Sequence, residues 1–310
     1  MKILVAGGAG FIGSHLVDRL LAQDHHVDVI DNFVTGQKIN LKHLADNENF
    51  ELFSGDICNL ESLPREKYDR IYNLASPASP IDFKKISIEI LLTGSQGHLN
   101  LLQLAENCGA RILFASTSEV YGDPLVNPQP ETYYGNVNCR GERACYDEAK
   151  RFGEALTVNF QKYRGVNSRT VRIFNTYGPR MRPNDGRVIP NFFMQALVGQ
   201  GLTIYGNGQQ TRSLCYVSDM ARGIETLMES DVDQPVNIGN THEMTILEIA
   251  DLINDLTGNN TPHIFQDLPE NDPKVRQPDI SRAKNLLGWR PQVDVREGLK
   301  ETMEFFKTCL

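Results

Sequence analysis

The chain has few cysteines and a single tryptophan, no Cys-x-x-Cys pair, no cluster of histidines at metal-ligand spacing, and no excess of basic charge. Its six cysteines, at 58, 108, 139, 145, 215 and 309 of 310 residues, are scattered. The missing paired spacing removes zinc-ribbon and dithiol redox chemistry as organising features, so no metal is expected and the thiols are read as reduced. Acidic residues outnumber basic ones 39 to 31, a formal net charge of −8. That balance gives no broad positive field for a phosphate backbone, which excludes nucleic acid as an expected partner while leaving room for a small phosphorylated ligand held by local arginines. No apolar run approaches the ~18 residues needed to span a bilayer, so no membrane partner is expected. Met1-Lys2 leads straight into an apolar strand without a leader pattern, and a soluble, cytoplasmic protein is the expectation. Internal repeats and low-complexity segments are absent too.

What is present is rhythm. The apolar run 2–6 is followed at once by Gly7-Gly8-Ala9-Gly10-Phe11-Ile12-Gly13 and a helical pattern with Ile12, Leu16 and Leu20 on one face; a second apolar run, 27–30, ends in Asp31 and Asn32. Strand, glycine turn, helix, strand and acidic end form the complete context of a dinucleotide site. Gly7 and Gly10 let backbone approach a pyrophosphate, the helix N-terminus around Phe11 and Ile12 offers amide donors, and Gly13 allows close helix packing. Asp31, 18 residues after Gly13, stands where a carboxylate accepts from both ribose hydroxyls of NAD and would repel the 2′-phosphate of NADP. NAD is therefore the expected cofactor.

Further strands are expected at 50–53 and 70–74. Asp56-Ile57 after the first suits an adenine, the carboxylate accepting from the amine and the isoleucine packing on the ring; a solvated loop aspartate explains the same residues. Leu74-Ala75 opens a loop of small residues and prolines reaching Pro80, suited to passing beneath a dinucleotide or serving as a stiff connection. Helices are expected at 87–108 and 143–163, with strands over the apolar run that begins at Arg111 and ends where the hydroxyls start at Ser116, and at 170–174. This alternation predicts α/β architecture: a doubly wound parallel Rossmann sheet with a smaller C-terminal substrate-binding domain. The expected division is an NAD-binding domain over 1–175, with 213–240 returning to it, and a substrate domain from 176–212 and 241–310, where prolines, glycines and arginines mark ligand-facing loops.

The chemistry gathers where the apolar run beginning at Arg111 switches to Ser116-Thr117-Ser118-Glu119. In open α/β sheets ligands bind beyond the carboxyl ends of the strands, so Thr117, Ser118 and Glu119 are expected to face one. Tyr146 and Lys150, four apart, share a helix face. A phenol has a reference pKa of about 10, so action as a base near neutrality asks for roughly 4 kcal/mol of preferential stabilisation of phenolate, which a lysine ammonium and a nicotinamide cation would both favour. Tyr146 is thus the expected base toward a sugar hydroxyl.

These features resemble the extended short-chain dehydrogenase/reductase superfamily. The stretches 74–80, 116–124, 143–148, 172–181, 184–188 and 210–219 resemble, within it, the UDP-glucuronic acid decarboxylases, over essentially the whole chain. The resemblance implies NAD-dependent conversion of UDP-glucuronic acid to UDP-xylose: oxidation at C4 with Tyr146 as base and Ser118 or Thr117 on the oxygen, loss of CO2, protonation at C5, and re-reduction by the same cofactor. It implies that Glu119 acts near the carboxylate or C5, as acid, base or orienting group, and that Arg276 binds the carboxylate or delivers a proton through water. It places Asn175 and Arg187 near the nucleotide, Tyr205 near the uracil and Arg212 near the phosphates. A homodimer formed by the two long helices is likewise implied. One departure stands out: where the family usually carries Lys-Thr-Asn, this chain has Leu92-Thr93-Gly94. The alternative activity is a UDP-sugar or UDP-uronic acid 4-epimerase, which the carboxylate of Glu119 argues against.

Overall fold

A computed structural model describes residues 1–267 and 276–310. Seven parallel strands form the central sheet: β1 (Lys2–Ala6), β2 (His26–Asp31), β3 (Phe50–Ser54), β4 (Arg70–Asn73), β5 (Arg111–Thr117), β6 (Ser168–Ile173) and β7 (Val236–Ile238). Their order is β7-β6-β5-β4-β1-β2-β3. The chain starts in the middle, winds to one edge, then crosses back, so the strand order reverses between β1 and β4 and opens a crevice there. β7 pairs in parallel with β6, which brings the stretch near 236 back to the sheet as the sequence led one to expect.

The continuous apolar strands follow from burial on both faces. Alternate residues of β1 serve opposite layers. Ile3 and Val5 pack with Leu16 and Leu20 of α1 (Phe11–Leu21) and with Met220, Ile224 and Leu227 of the helix Val217–Glu229. Leu4 and Ala6 pack with Leu101 and Ala105 of α2 (His98–Cys108) and with Phe160 of α3 (Ala144–Arg164). A third cluster, built from Phe192 and Phe193 of α4 (Val188–Leu197), Ile249 and Ile253 of α5 (Ile246–Thr257) and Leu299 and Phe306 of α6 (Val295–Lys307), lies under the loops that follow β6. The pairs of short strands in this part, such as Thr211–Ser213 with Glu243–Thr245 and Thr203–Tyr205 with Ile264–Gln266, carry no periodicity long enough to read from sequence.

The expected long helix at 87–108 is real but interrupted: Ser87–Leu92 and α2 are α-helical, and the turn between them, Thr93–Gly97, is π-helical. A π turn takes in one extra residue and shifts the helix face. Gly94 lies in that turn against α3, where a Cβ would stand 2.7 Å from the Cβ of Ala149. At position 94 the departure has a packing reason, since an asparagine there would collide with the helix that carries Lys150; nothing in the structure explains Leu92. α3 is pressed equally hard onto the sheet, since a Cβ at Gly153 would lie 2.2 Å from Cζ of Phe114 in β5. This contact seats Tyr146 and Lys150 above the end of β5.

Candidate active site

A single cleft of about 790 Å³ runs over the carboxyl ends of the strands. It is lined, among others, by Gly7, Gly10, Phe11, Ile12, Gly13, Leu74, Thr117, Ser118, Glu119, Tyr146, Lys150, Asn175, Arg187, Tyr205, Arg212 and Arg276. Residues spread over the whole length of the sequence thus share one cavity. Of the expected cofactor residues, Asp31, Asn32, Asp56, Ile57 and Ala75 are not among those lining it.

The glycine turn has the shape that a dinucleotide requires. Gly7 adopts φ +78°, and a Cβ there would meet the backbone nitrogen of Ala75 at 2.7 Å; a Cβ on Gly13 would lie 2.2 Å from the carbonyl of Gly7. Gly10 is the N-cap of α1 and has no side chain to satisfy the first-turn amides, so those donors and the positive end of the helix dipole face the cleft. Asp31 is buried at the end of β2, where its carboxylate accepts from the amides of Ala9 (3.1 Å) and Phe33 (2.9 Å). It therefore braces the glycine turn from behind; burial lifts its carboxyl, with the two amides opposing. Asn32 donates to Asp56 at 3.0 Å, joining the ends of β2 and β3, and Ile57 packs beneath Gly97.

At the end of β5 the backbone leaves the sheet in a 3-10 turn, Ser118–Tyr121. The Thr117 hydroxyl accepts from the Glu119 amide at 3.3 Å and caps that turn, while Ser116 donates to Glu154 of α3 at 2.5 Å. These two bonds fix the direction in which Glu119 points. Its carboxylate is buried and accepts from Arg276 at 2.7 Å and, closer still, from Arg143. Burial alone would raise the Glu119 carboxyl, but the guanidinium groups of Arg276, Arg143 and Arg212 outweigh it and hold the group below its ordinary value. The site therefore keeps Glu119 ionised. Of the stretch 272–279 that introduces Arg276, residues 272–275 lie outside the described ones.

Tyr146 is buried, stacked on Phe83 with ring centroids 5.4 Å apart. Burial pushes its phenol up to about 12; a hydrogen bond with Thr117 opposes this, and the charges of Glu119 and Asp147 add to it. Lys150 is buried four residues on, its Nζ donating to the carbonyl of Ala115 at 2.7 Å and lying 5.7 Å from the centroid of the Tyr146 ring. Desolvation brings its ammonium down to about 7. The chain's own groups thus hold Tyr146 as the neutral phenol, whereas the sequence pattern led to an expectation of help from Lys150. A further positive charge beside the phenol is required for it to act as a base.

Toward the other end of the cleft Arg187 is paired with Asp185 of its own loop. Arg182 binds Asp82 at 2.5 Å, and Ser79 donates to the carbonyl of Asp185, so the small-residue loop after β4 is tied to the loop before α4. Arg212 is buried while Tyr205 remains exposed at the rim. Sequence reasoning passed over Arg143 and Asp147 as site residues, although positions 143, 146, 147 and 150 repeat at helical spacing, which was the available signal.

The fold and this site define an NAD-dependent sugar-nucleotide enzyme of the extended short-chain dehydrogenase/reductase class. Residues 4–302 match the family model described as GDP-mannose 4,6 dehydratase. The chain is 51% identical to UDP-glucuronic acid decarboxylase 1 of Xenopus tropicalis over 306 residues, 99% of this chain and 72% of that protein. It is 51% identical to UDP-glucuronic acid decarboxylase 3 of Arabidopsis thaliana over 314 residues, 100% of this chain and 90% of that one. The crystal structure of UDP-glucuronic acid 4-epimerase from Bacillus cereus in complex with UDP-glucuronic acid and NAD superposes with a TM-score of 0.90 at 30% identity, covering 100% of both chains. That of UDP-glucose 4-epimerase with UDP-glucose from Thermotoga maritima gives 0.91 at 31%, covering 100% and 99%. The chain belongs to the UDP-glucuronic acid decarboxylase family.

Proposed function

We propose that this chain converts UDP-glucuronic acid to UDP-xylose and CO2, with NAD as a recycled cofactor. The observation that carries the reading is the buried, ionised Glu119 clamped by Arg143 and Arg276 beside a Tyr146–Lys150 pair, on a chain about 50% identical to decarboxylases along its length. The glycine turn at Gly7, Gly10 and Gly13, with Phe11, Ile12, Leu74 and Lys150, holds the NAD. When bound, NAD supplies the hydride acceptor and donor for C4 and the cationic ring that favours phenolate at Tyr146.

All else falls to the side chains. Thr117 and Ser118 hold the C4 oxygen while Tyr146 takes its proton and later returns it. The C4 ketone is β to the carboxylate, so the electrons of the C5–C6 bond pass into an enolate as CO2 leaves. Arg276 orients the carboxylate, and Glu119, kept anionic by its arginines, orients Arg143 and Arg276 rather than serving as an acid. Arg187, Arg212 and Asn175 hold the diphosphate and nucleoside, with Tyr205 against the uracil. Asp31, with Asn32, Asp56, Ile57 and Ala75, forms the adenosine end of the NAD site, Asp31 using oxygen lone pairs left over from its two amide bonds.

The division into an NAD domain over 1–175, joined by 213–240, and a substrate domain over 176–212 and 241–310 fits this chemistry, because the cleft lies between the layers built by those segments. The protein acts in the cytoplasm as a homodimer. Ile88, Leu91 and Leu92 on the helix before α2, with Phe152, Val158 and Tyr163 on α3, are apolar or aromatic residues left exposed on the two long helices, which supports an interface there. Sedimentation reads this directly, and a monomer at micromolar concentration refutes it.

Incubation with UDP-glucuronic acid and NAD tests the activity. UDP-xylose and CO2 without lasting NADH are the expected products; unchanged nucleotide-sugar mass with inverted configuration at C4 would instead show an epimerase.

A further inference from the structure

The proposed decarboxylation leaves one proton unassigned. A carboxylate enters and neutral CO2 leaves, so each turnover takes up one proton, which ends on C5. Tyr146 returns to O4 the proton it removed and cannot be its source. Glu119 is held as an anion by three arginines, and a guanidinium is a poor acid.

We propose that Asp147 is the acid that delivers this proton to C5. Asp147 follows Tyr146 on α3 and lines the same cleft. It is only 6% exposed yet lines the cleft beside Glu119, Arg143 and Arg276, and its Oδ1 is buried with no hydrogen-bond partner among the described residues. A buried, unpartnered carboxylate oxygen is costly to maintain, and a protein that keeps one in a reaction cleft has a use for it. The surrounding charges suit an acid. Burial first, then Glu119 and more weakly Glu148, push the carboxyl up to about 7 against the pull of Arg143 and Arg276, so a large share of it is protonated at neutrality. In the step itself the C5–C6 bond breaks and its electron pair passes to the C4 enolate. As the C4 carbonyl re-forms, C5 takes the proton from the Asp147 hydroxyl, leaving a carboxylate that solvent reprotonates once per turnover.

This inference rests on the decarboxylase reading, and the experiment separates the two. UDP-glucuronic acid is mixed with the wild-type enzyme and with Asp147→Asn, each preloaded with NAD, and absorbance of NADH is followed with product analysis. In the variant, NADH forms within about threefold of the wild-type rate, whereas its consumption slows by ~10²-fold or more, the scale of a lost general acid. NADH consumption in the wild type also falls as pH rises through about 7, and the variant loses this dependence. Unchanged consumption, or formation slowed as much as consumption, overturns the assignment. Asp147→Ser gives the same readout should the asparagine variant fail to fold. A wild-type enzyme that yields no UDP-xylose refutes the underlying activity instead.

Discussion

Lys150 exposes a conflict between stability and chemistry that can be measured. Its ammonium is buried with one carbonyl, that of Ala115, as hydrogen-bond partner, and desolvation lowers it from 10.5 to about 7. The unfolded chain binds the proton more tightly than the folded one, so the folded state pays for protonation at every pH below the unfolded value. The penalty is full below about pH 7 and fades as pH rises toward 10.5. At pH 7 it comes to about 4 kcal/mol, at pH 9 to about 2, and at pH 10.5 to less than about 1. Replacing Lys150 by Met removes this penalty and keeps an unbranched chain against Phe114 and Tyr146. It also strands the Ala115 carbonyl, at ~1–3 kcal/mol. The first effect wins at neutrality and the second at high pH. Lys150→Met, melted without ligands, should be more stable than wild type by a few degrees at pH 7, lose that advantage near pH 9 and be the less stable protein at pH 10.5, while having no activity at any pH. A melting temperature below wild type at pH 7, or a difference that does not change with pH, would refute the burial argument.

Two other substitutions report on neighbouring parts of the cleft. Glu119→Gln leaves Arg143 and Arg276 without an anion; breaking a buried pair costs ~3–5 kcal/mol, toward the low end here because the amide oxygen still accepts. Calorimetry should show the loss, and turnover should fall far more than NAD affinity; equal losses would make Glu119 purely structural. Gly13→Ala puts a methyl 2.2 Å from the Gly7 carbonyl and 2.9 Å from the Cα of Gly8. Backbone must yield, so NAD affinity measured by titration should drop by at least about 10²-fold, and an unchanged affinity would remove the glycine turn from the cofactor site.

Legibility differed according to the range of the forces involved. The strand–glycine–helix unit was plain because period, turn residues and Asp31 lie within about thirty positions and each has its own local cause. Tyr146 and Lys150 were legible because a helix alone sets their spacing. The Arg143–Glu119–Arg276 cluster was not, for its members stand 24 and 157 residues apart and meet only through tertiary packing. Asp31 shows the reverse case: its place at the end of β2 was legible, but its two amide bonds to Ala9 and Phe33 depend on how the turn closes. The π turn at Thr93–Gly97 was hidden as well, and Gly94 within it packs on Ala149 of another helix, a contact that no local pattern announces.

Epimerase structures share this fold at about 30% identity, so the fold alone does not separate the two activities. Both reactions begin with a C4 ketone on one scaffold. An epimerase must then release the sugar enough to present its other face, whereas a decarboxylase must hold the carboxylate still while the C5–C6 bond breaks. Glu119 lies on the turn after β5, Arg143 caps α3 and Arg276 comes from the C-terminal segment, so one buried ion cluster ties three separate parts of the cleft wall together. A wall cross-linked in this way resists widening, and it fixes the two guanidinium groups of Arg143 and Arg276 on one carboxylate. The carboxylate of Glu119 thus acts first on its own arginines, which is why the proposed reading makes it an orienting group rather than an acid.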